Sequence, residues 1–506
     1  DDFLNILPSE QVHLFPVDEV LSAEMAFSSP EARADRVSAL NFLMTANAGI
    51  VVVPVAGLRK YLPTKETWQN AQLHWEIGTE VEPEILAQRL VLMGYERQSM
   101  VGKPGEFSIR GSIIDVYPLN AEYPVRVELF DVEIDSIRYF EADTQRSLEN
   151  LEEVTISPMT DLVFSKADMN HGMMRLQDAL EKRLATAKDQ TETDFLEEYF
   201  GQLLSSWEQG IPTENAHYYT DFLYQQKTTL LDYLPENSLL FVDDYSRMME
   251  TEREIAREEA EWQTLKIEEM RVFSEQTFGV DFHDQLRKTA RNTTFFSLFQ
   301  KGMGNLRFQE VHNFQYRSMQ QFFGQMPLLK AEVDRWQKQN QTVVVFVPTK
   351  ERIQKVEELF QDFDIPSVVS NWDQLLDGHV QIVQGALQTG FELPKNKLVA
   401  ITEKEIFHTT TKKRARRQTI SNAERLKSYS DLKTGDYVVH ANHGIGKYIG
   451  METLEVDGVH QDYMTILYQN DDKLFIPVTQ LNLIQKFVAS ESKTPKINKL
   501  GGSEWT

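Results

Sequence analysis

The sequence contains no cysteine, which excludes disulfide bonds and thiolate metal sites and is typical of a reducing compartment. It also lacks an apolar run near the length of about 20 residues that spans a bilayer, so we expect no membrane segment. The first residues, DDFLNILPSE, have neither the basic nor the apolar region of a signal peptide. We therefore predict a cytoplasmic protein and expect the chain to be a fragment of a longer one.

Positive charge is scarce, because the sequence has 52 Lys and Arg residues against 77 Asp and Glu residues, which gives a formal net charge of -25. Affinity for nucleic acids depends mostly on cationic groups that neutralise phosphates. The chain as a whole should therefore bind DNA poorly. The segment TKKRARRQTISN is an exception, and it either contacts DNA phosphates or forms a flexible cationic tether. Its basic residues are Lys412, Lys413, Arg414, Arg416 and Arg417.

A phosphate-binding loop of the form G-x-x-x-x-G-K-[ST] is also missing. In SLLFVDDYSRM an apolar strand does lead into Asp243 and Asp244, where nucleotide-driven motors place the acids that hold magnesium. Helicase-type sites have Glu at the second position, and the shorter Asp244 would withdraw a general base from its water. We predict degenerate acids, no catalytic residue and no cofactor in the chain. His440 and His443 have metal-like spacing without a third ligand, so no metal is assigned.

A chain of 506 residues is too long for one core. Apolar strands followed by helices, as in AGIVVVPVAGLRKYLP and TVVVFVPTKERIQKVEELF, predict α/β units. The alternating EFSIRGSIIDVYP and VRVELFDVEIDSIRYF predict an α+β insert. We predict a multidomain α/β and α+β protein with this division: 1–71, first part of an α/β domain; 72–158, α+β insert; 159–320, second and largely helical part of the α/β domain; 321–408, small α/β domain; 409–430, basic linker; 431–490, small β-barrel; 491–506, linker.

Two stretches resemble a known family. GEFSIRGSIIDVYPLNAEYPVRVELFDVEIDSIRYFEADTQRS resembles the UvrB-like module shared by the excision-repair protein UvrB and the bacterial transcription-repair coupling factors of the Mfd family. LKTGDYVVHANHGIGKYIGMETLEVDG, followed by YMTILYQNDDKLFIPVTQLNLI, resembles the RNA-polymerase-interacting domain of that family, which is related to CarD-type regulators. The resemblance implies a degenerate helicase-like α/β module and a C-terminal barrel of the SH3/Tudor type.

The function that the resemblance implies is an adaptor in transcription-coupled nucleotide excision repair. Such an adaptor binds the β subunit of stalled RNA polymerase and recruits UvrA. The family's ATP-dependent motor, which uses ATP and magnesium and moves on duplex DNA, is not expected in these residues. Two alternatives stay open, a CarD-like transcription regulator without a repair role and an ATP-dependent nucleic-acid enzyme in its own right.

In VRVELFD, period-two alternation predicts Val127 and Leu129 on one face of a strand and Arg126, Glu128 and Phe130 on the other. An aromatic beside an arginine on the solvent side suits a partner site, but the pattern alone favours the alternative, a lone exposed Phe with a cross-strand ion pair. The resemblance implies a UvrA-binding site. It consists of Arg110, Arg126, Glu128 and Phe130.

Asp457-Gly458 predicts a two-residue hairpin in the last domain. The register that follows has Leu454 opposite Gln461, Glu452 opposite Tyr463 and Met451 opposite Met464, with Ile466 and Tyr468 continuing the Met464 face as the core. Leu454 is then left on the other face. The resemblance implies strand pairing with the polymerase β subunit there, at Leu454, Tyr463 and Thr465.

Overall fold

The computed structural model describes residues 2–5, 7–17, 30–213, 215–298, 306–407, 435, 437–440, 444–456, 459–469, 472–477 and 484–486. The chain divides into two compact units, Asp1–Gln69 with Asp161–Arg414 and Asn70–Thr160 with Ala415–Thr506. In the described part, no helix combines the length and apolarity needed to cross a membrane. The architecture is mixed α/β with several separate sheets, which agrees with the predicted class at this level.

The first segment builds part of an α/β core. β1 and β2 pair in parallel, and α1 packs Val37 and Leu40 against buried Phe15 and Trp68. The apolar run AGIVVVPVAGLRKYLP forms a strand and then a helix, as predicted. The elements are β1 Val12–Leu14, α1 Pro30–Thr45, β2 Ile50–Val52, α2 Val55–Arg59 and α3 Lys65–Ala71.

The predicted insert forms a six-stranded sheet of order β4-β5-β6-β7-β8-β9 and a separate antiparallel pair of β3 with β10. Its core joins Leu86 and Leu90 of α4 to apolar side chains of the sheet, including Phe107, Ile114 and Val127. Both predicted amphipathic strand pairs are confirmed. The elements are β3 Leu73–Glu76, α4 Pro83–Leu92, β4 Glu96–Arg97, β5 Glu106–Arg110, β6 Ile113–Val116, β7 Val125–Phe130, β8 Glu133–Phe140, β9 Ser147–Leu151 and β10 Glu153–Ile156.

The next segment is mainly helical, as predicted. α5 begins at a capping box in which the Ser165 hydroxyl accepts from the backbone N–H of Asp168 and the Asp168 carboxylate accepts from that of Ser165. α9 buries Tyr245, Glu252 and Trp262 and leaves most other side chains in solvent. The elements are α5 Lys166–Leu184, α6 Gln190–Glu208, α7 Thr220–Leu223, α8 Leu230–Tyr233, β11 Leu240–Asp243, α9 Tyr245–Glu268, α10 Phe282–Lys288 and β12 Thr293–Phe296.

A buried ion cluster lies in this unit. The Asp161 carboxylate is 3.0 Å from Nε of Arg36 and 2.8 Å from Nζ of Lys60, and all three side chains are buried. Burial alone would raise the pKa of Asp161, but the two cations outweigh it and hold the pKa well below its usual range. The carboxylate is therefore charged in the folded protein at neutral pH.

The small α/β domain has a sheet of order β13-β17-β18-β14-β16-β15. Central β14 is buried along its whole length and parallel to both of its neighbours, as expected for a strand covered on both faces. The predicted strand and helix in TVVVFVPTKERIQKVEELF are confirmed. The elements are β13 Arg317–Ser318, α11 Met326–Lys338, β14 Thr342–Val347, α12 Lys350–Asp362, β15 Val368–Ser370, β16 Val380–Gln384, β17 Phe391–Leu393, β18 Leu398–Thr402 and α13 Glu403–Phe407.

The last segment forms an antiparallel sheet of order β22-β21-β20-β19-β23. Its elements are β19 Tyr437–His440, β20 Gly444–Val456, β21 Val459–Leu467, β22 Lys473–Pro477 and β23 Ile484–Lys486. The predicted register is confirmed, since Leu454 pairs with Gln461, Glu452 with Tyr463 and Met451 with Met464. Met464, Ile466 and Tyr468 are buried in one cluster, as predicted for the core face. The Asp457-Gly458 turn lies outside the described residues.

Candidate functional site

β7 separates its side chains between the two faces of the insert sheet. Val127 and Leu129 are buried, Arg126 and Glu128 are half-buried, and the side chain of Phe130 is exposed with 78% of its surface in solvent. This alternation confirms the faces predicted from VRVELFD. Phe130 stands at the end of the strand, beyond a register shift between Glu128 and Leu129.

Arg126 is held by its own domain. Its Nε and Nη2 donate to the two carboxylate oxygens of Asp115 at 2.7 and 2.8 Å, and Nη2 also donates to Oε1 of Gln145 at 2.8 Å. The guanidinium lies 4.2 Å from the ring centroid of Phe140. Hydrogen bonding to Asp115 raises the pKa of Arg126. Arg126 lies on the predicted solvent-side face, but only 11% of its side chain is exposed because these partners cover it.

Asp115 is shared by two arginines. Nη2 of Arg110, on neighbouring β5, donates to the same carboxylate at 2.7 Å, and Asp115 itself is fully buried. Arg110 is 42% exposed and makes one described hydrogen bond through its side chain. Its other donors can therefore reach a partner, whereas most of those of Arg126 are already used.

Glu128 is paired with Arg138 of β8. The hydrogen bond from Arg138 lowers the pKa of Glu128, so this carboxylate is ionised at neutral pH. Asp115, Arg138 and Gln145 are not among the predicted site residues. Period-two spacing on β6 could have placed Asp115 opposite Arg126, but Gln145 lies in a loop with a positive φ of 59° and gave no such signal.

The two strand-end acids have different surroundings. Asp243 ends β11 and is exposed, whereas Asp244 adopts a left-handed conformation with a φ of 51°. Oδ1 of Asp244 accepts from the backbone N–H of Arg247 at 3.3 Å and caps α9. Asp244 therefore has a structural role as a helix cap.

In the C-terminal sheet, Thr465 is fully buried. This burial contradicts the expectation that Thr465 lies on the solvent face with Leu454; Thr465 pairs with Gly450 of β20, next to a register shift, and with Phe475 of β22. The backbone pairing of Leu454 and Tyr463 is described, and their side chains are not. Outside the described residues lie His443, the side chain of His440 and the basic segment with Lys412, Lys413, Arg414, Arg416 and Arg417.

Comparison with protein families finds three matches. Residues 73–162 match the UvrB interaction domain, residues 333–406 the MFD D3 domain, and residues 432–488 the CarD-like/TRCF RID domain. β7 and its ion pairs lie in the first match, and the β20–β21 hairpin lies in the third.

Whole-chain relatives agree with these matches. The chain is 43% identical over 506 residues to the transcription-repair-coupling factor of Bacillus subtilis (strain 168), covering 100% of this chain and 43% of that protein. The factor of Staphylococcus haemolyticus (strain JCSC1435) is 38% identical over 510 residues, and that of Staphylococcus aureus (strain bovine RF122 / ET3-1) is 37% identical over 513 residues. The chain covers 43% of each of these two as well. It therefore spans less than half the length of these relatives, and over its whole length it is similar to part of the transcription-repair-coupling factors.

Proposed function

We propose that this chain is the adaptor part of a transcription-repair-coupling factor in nucleotide excision repair. It would bind stalled RNA polymerase through the domain at residues 432–488 and recruit UvrA through the domain at residues 73–162. The observation that supports this proposal is the presence of a UvrB interaction domain and a CarD-like/TRCF RID domain in one chain. A transcription regulator of CarD type would need only the second domain.

The UvrA site would be the face of the insert sheet that carries Arg110, Arg126, Glu128 and Phe130. Phe130 offers a large exposed apolar surface on the same strand as Arg126, and aromatic and arginine residues are enriched at binding hot spots. Arg110 has free donors, and we assign Arg126 to holding Asp115 in place, so that Arg110 and the sheet surface keep their positions. Phe130 would then be the apolar anchor and Arg110 the polar contact.

UvrA capture tests this assignment. Burying a Phe side chain contributes about 1.5–3 kcal/mol, so Phe130→Ala should weaken UvrA binding by roughly 10- to 150-fold while the chain stays folded. Phe314→Ala is the matched control, because Phe314 is also strongly exposed but lies outside the insert. If the wild-type chain fails to capture UvrA, the adaptor proposal is wrong, and the result supports the alternative of a CarD-type transcription regulator. Equal capture by wild type and Phe130→Ala would remove Phe130 from the site.

The polymerase site would lie on the outer half of the β20–β21 hairpin, in a small barrel of the SH3/Tudor type. β19 pairs with Gly444–Lys447 of β20, and β22 pairs with Tyr463–Leu467 of β21. Around Leu454, β20 pairs with β21 alone among the described residues, and its other backbone edge is the one that would accept an added strand. Strand addition uses such an edge for affinity and alternate side chains for specificity. The partner strand would belong to the polymerase β subunit.

Leu454→Arg tests this site in the full chain. An arginine at a contact that must lose its water should abolish capture of a β-subunit fragment without unfolding the hairpin. Leu265→Arg, at an exposed leucine of α9, adds the same charge elsewhere and should leave capture unchanged. Capture by Leu454→Arg at the wild-type level would contradict the assignment of Leu454.

ATP, magnesium and most contacts with duplex DNA would belong to motor domains of the longer family members. In this chain we assign no catalytic or cofactor role to Asp243 and Asp244, and the basic segment around Arg414 is a secondary DNA contact. A fluorescence anisotropy titration with duplex DNA at low and physiological salt tests that contact, which should weaken steeply with salt.

A further inference from the structure

The outward face of the β3–β10 pair carries side chains that bind metals. Alternation along the two strands turns Leu73, Trp75, Val154 and Ile156 toward the core of the insert. The same alternation leaves the opposite face in solvent. That face consists of His74, Glu76, Glu153 and Thr155.

The register places two carboxylates directly across from each other. Glu76 pairs with Glu153, and like charges at such positions destabilise a sheet. His74 lies diagonally to Glu153, with its Nε2 3.5 Å from a carboxylate oxygen. One ligand atom from each of these three residues lies within 4.8 Å of the other two.

The ring of His74 is oriented by a neighbour. Its Nδ1 is 3.2 Å from the hydroxyl oxygen of Thr155, directly opposite on β10. An imidazole that donates from Nδ1 has its lone pair at Nε2, the atom that faces the carboxylates. Metal-binding histidines commonly have such a second partner, which fixes both tautomer and ring orientation.

We propose that His74, Glu76 and Glu153 form a site for a divalent transition-metal ion of the Zn²⁺ class. One imidazole nitrogen with two carboxylates suits Zn²⁺ and its first-row neighbours, whereas Mg²⁺ and Ca²⁺ prefer oxygen ligands alone. The absence of cysteine does not affect a site of this type. Water would complete the coordination, because all three side chains are exposed. The cation would neutralise the opposed glutamates and tie β3 to β10.

The test is a Zn²⁺ titration of the full, tag-free chain after removal of metals with a chelator. Isothermal titration calorimetry should detect a site that His74→Ala and Glu153→Gln each abolish. Thr155→Val should weaken it by about tenfold or more, since it removes the partner that orients the ring. Millimolar Mg²⁺ should not displace Zn²⁺. Zn²⁺ should also raise the melting temperature of wild type more than that of the His74 variant, because a ligand of the folded state stabilises it.

His312→Ala is the matched control. His312 is an exposed histidine 2.9 Å from Glu310, so it forms a His–Glu pair but belongs to no described cluster of three ligands. This variant should keep the wild-type affinity and stoichiometry. Circular dichroism checks that each variant is folded. Unchanged Zn²⁺ binding in folded His74→Ala, or equal losses in His74→Ala and His312→Ala, would overturn the proposal.

Discussion

Arg126→Ala should destabilise the insert, and any loss of UvrA binding should follow from that. The substitution removes two short hydrogen bonds to the fully buried Asp115 carboxylate and two to Gln145, one to its side-chain oxygen and a longer one to its backbone carbonyl. Removing one partner of a buried ion pair costs about 3–5 kcal/mol. Arg110 still contacts Asp115 at 2.7 Å and reduces the cost, while the lost contact with Phe140 adds to it. We therefore expect about 3 kcal/mol, at the lower end of that range.

Native-state hydrogen exchange of the full chain measures this loss of stability at the individual amides of the insert. A loss of about 3 kcal/mol corresponds to roughly a hundredfold faster exchange of the β7 amides, Val125–Phe130, if they exchange through opening of the insert. Arg110→Ala is the matched control, since it removes one hydrogen bond from a partly exposed arginine and should cost less than about 1 kcal/mol. Phe130→Ala should leave the exchange of β7 unchanged.

A result in which Arg126→Ala and Arg110→Ala speed exchange equally, by less than about threefold, would refute the positioning role of Arg126. Together with UvrA capture, these data distinguish weaker binding caused by a destabilised insert from weaker binding caused by a lost contact. Arg126→Ala should weaken capture together with faster exchange, whereas Phe130→Ala should weaken capture alone. If Arg126→Ala weakens capture with unchanged exchange, the arginine contacts the partner directly.

Three further outcomes are expected. Because the folded pKa of Asp161 is depressed, its ion pairs contribute stability that is complete above its ordinary pKa of 3.8 and is lost as the pH falls further. Urea titrations should therefore show that the free energy of unfolding falls less between pH 7 and pH 3 in Asp161→Asn than in wild type. Gly172→Ala should lower the melting temperature, because an added Cβ would lie 2.6 Å from Leu223, whereas Gly201→Ala should raise it, because a Cβ there meets no atom within 4 Å and alanine favours the helix by about 0.8–1 kcal/mol. DNA-stimulated ATPase activity should be absent from the chain, and turnover that Asp243→Ala abolishes would contradict this.

Local patterns predicted the elements that depend on neighbouring residues. The apolar run Thr342–Val347 forms a central strand because its side chains have no polar face to expose. Alternation in β7 sorted Val127 from Arg126 correctly, since the pleat alone decides which face a side chain takes. The register around Leu454 follows from the two-residue loop length, which aligns the strands on both sides.

The surroundings of Arg126, Thr465 and Asp244 were not predicted, because local patterns do not determine them. Arg126 is covered by contacts with Phe140, at the end of β8, and with Gln145, in the loop after it, and neither contact follows from the pattern of β7. Thr465 is fully buried on the face that alternation predicts to be in solvent, so the alternation of β21 did not predict its burial. The role of Asp244 as a cap required a left-handed residue that single-residue preferences disfavour.

The pairing of β3 with β10 has a consequence for how this module could be inherited. Leu73 near one end of the insert pairs with Ile156 near the other, so the chain enters and leaves on adjacent strands, with Cα atoms about 5 Å apart. An insertion with neighbouring ends fits into a short surface connection of a recipient protein without pulling the flanking segments apart. Adjacent ends therefore favour inheritance of the domain as one unit, because recombination at the two junctions would move its sheet and ion pairs together.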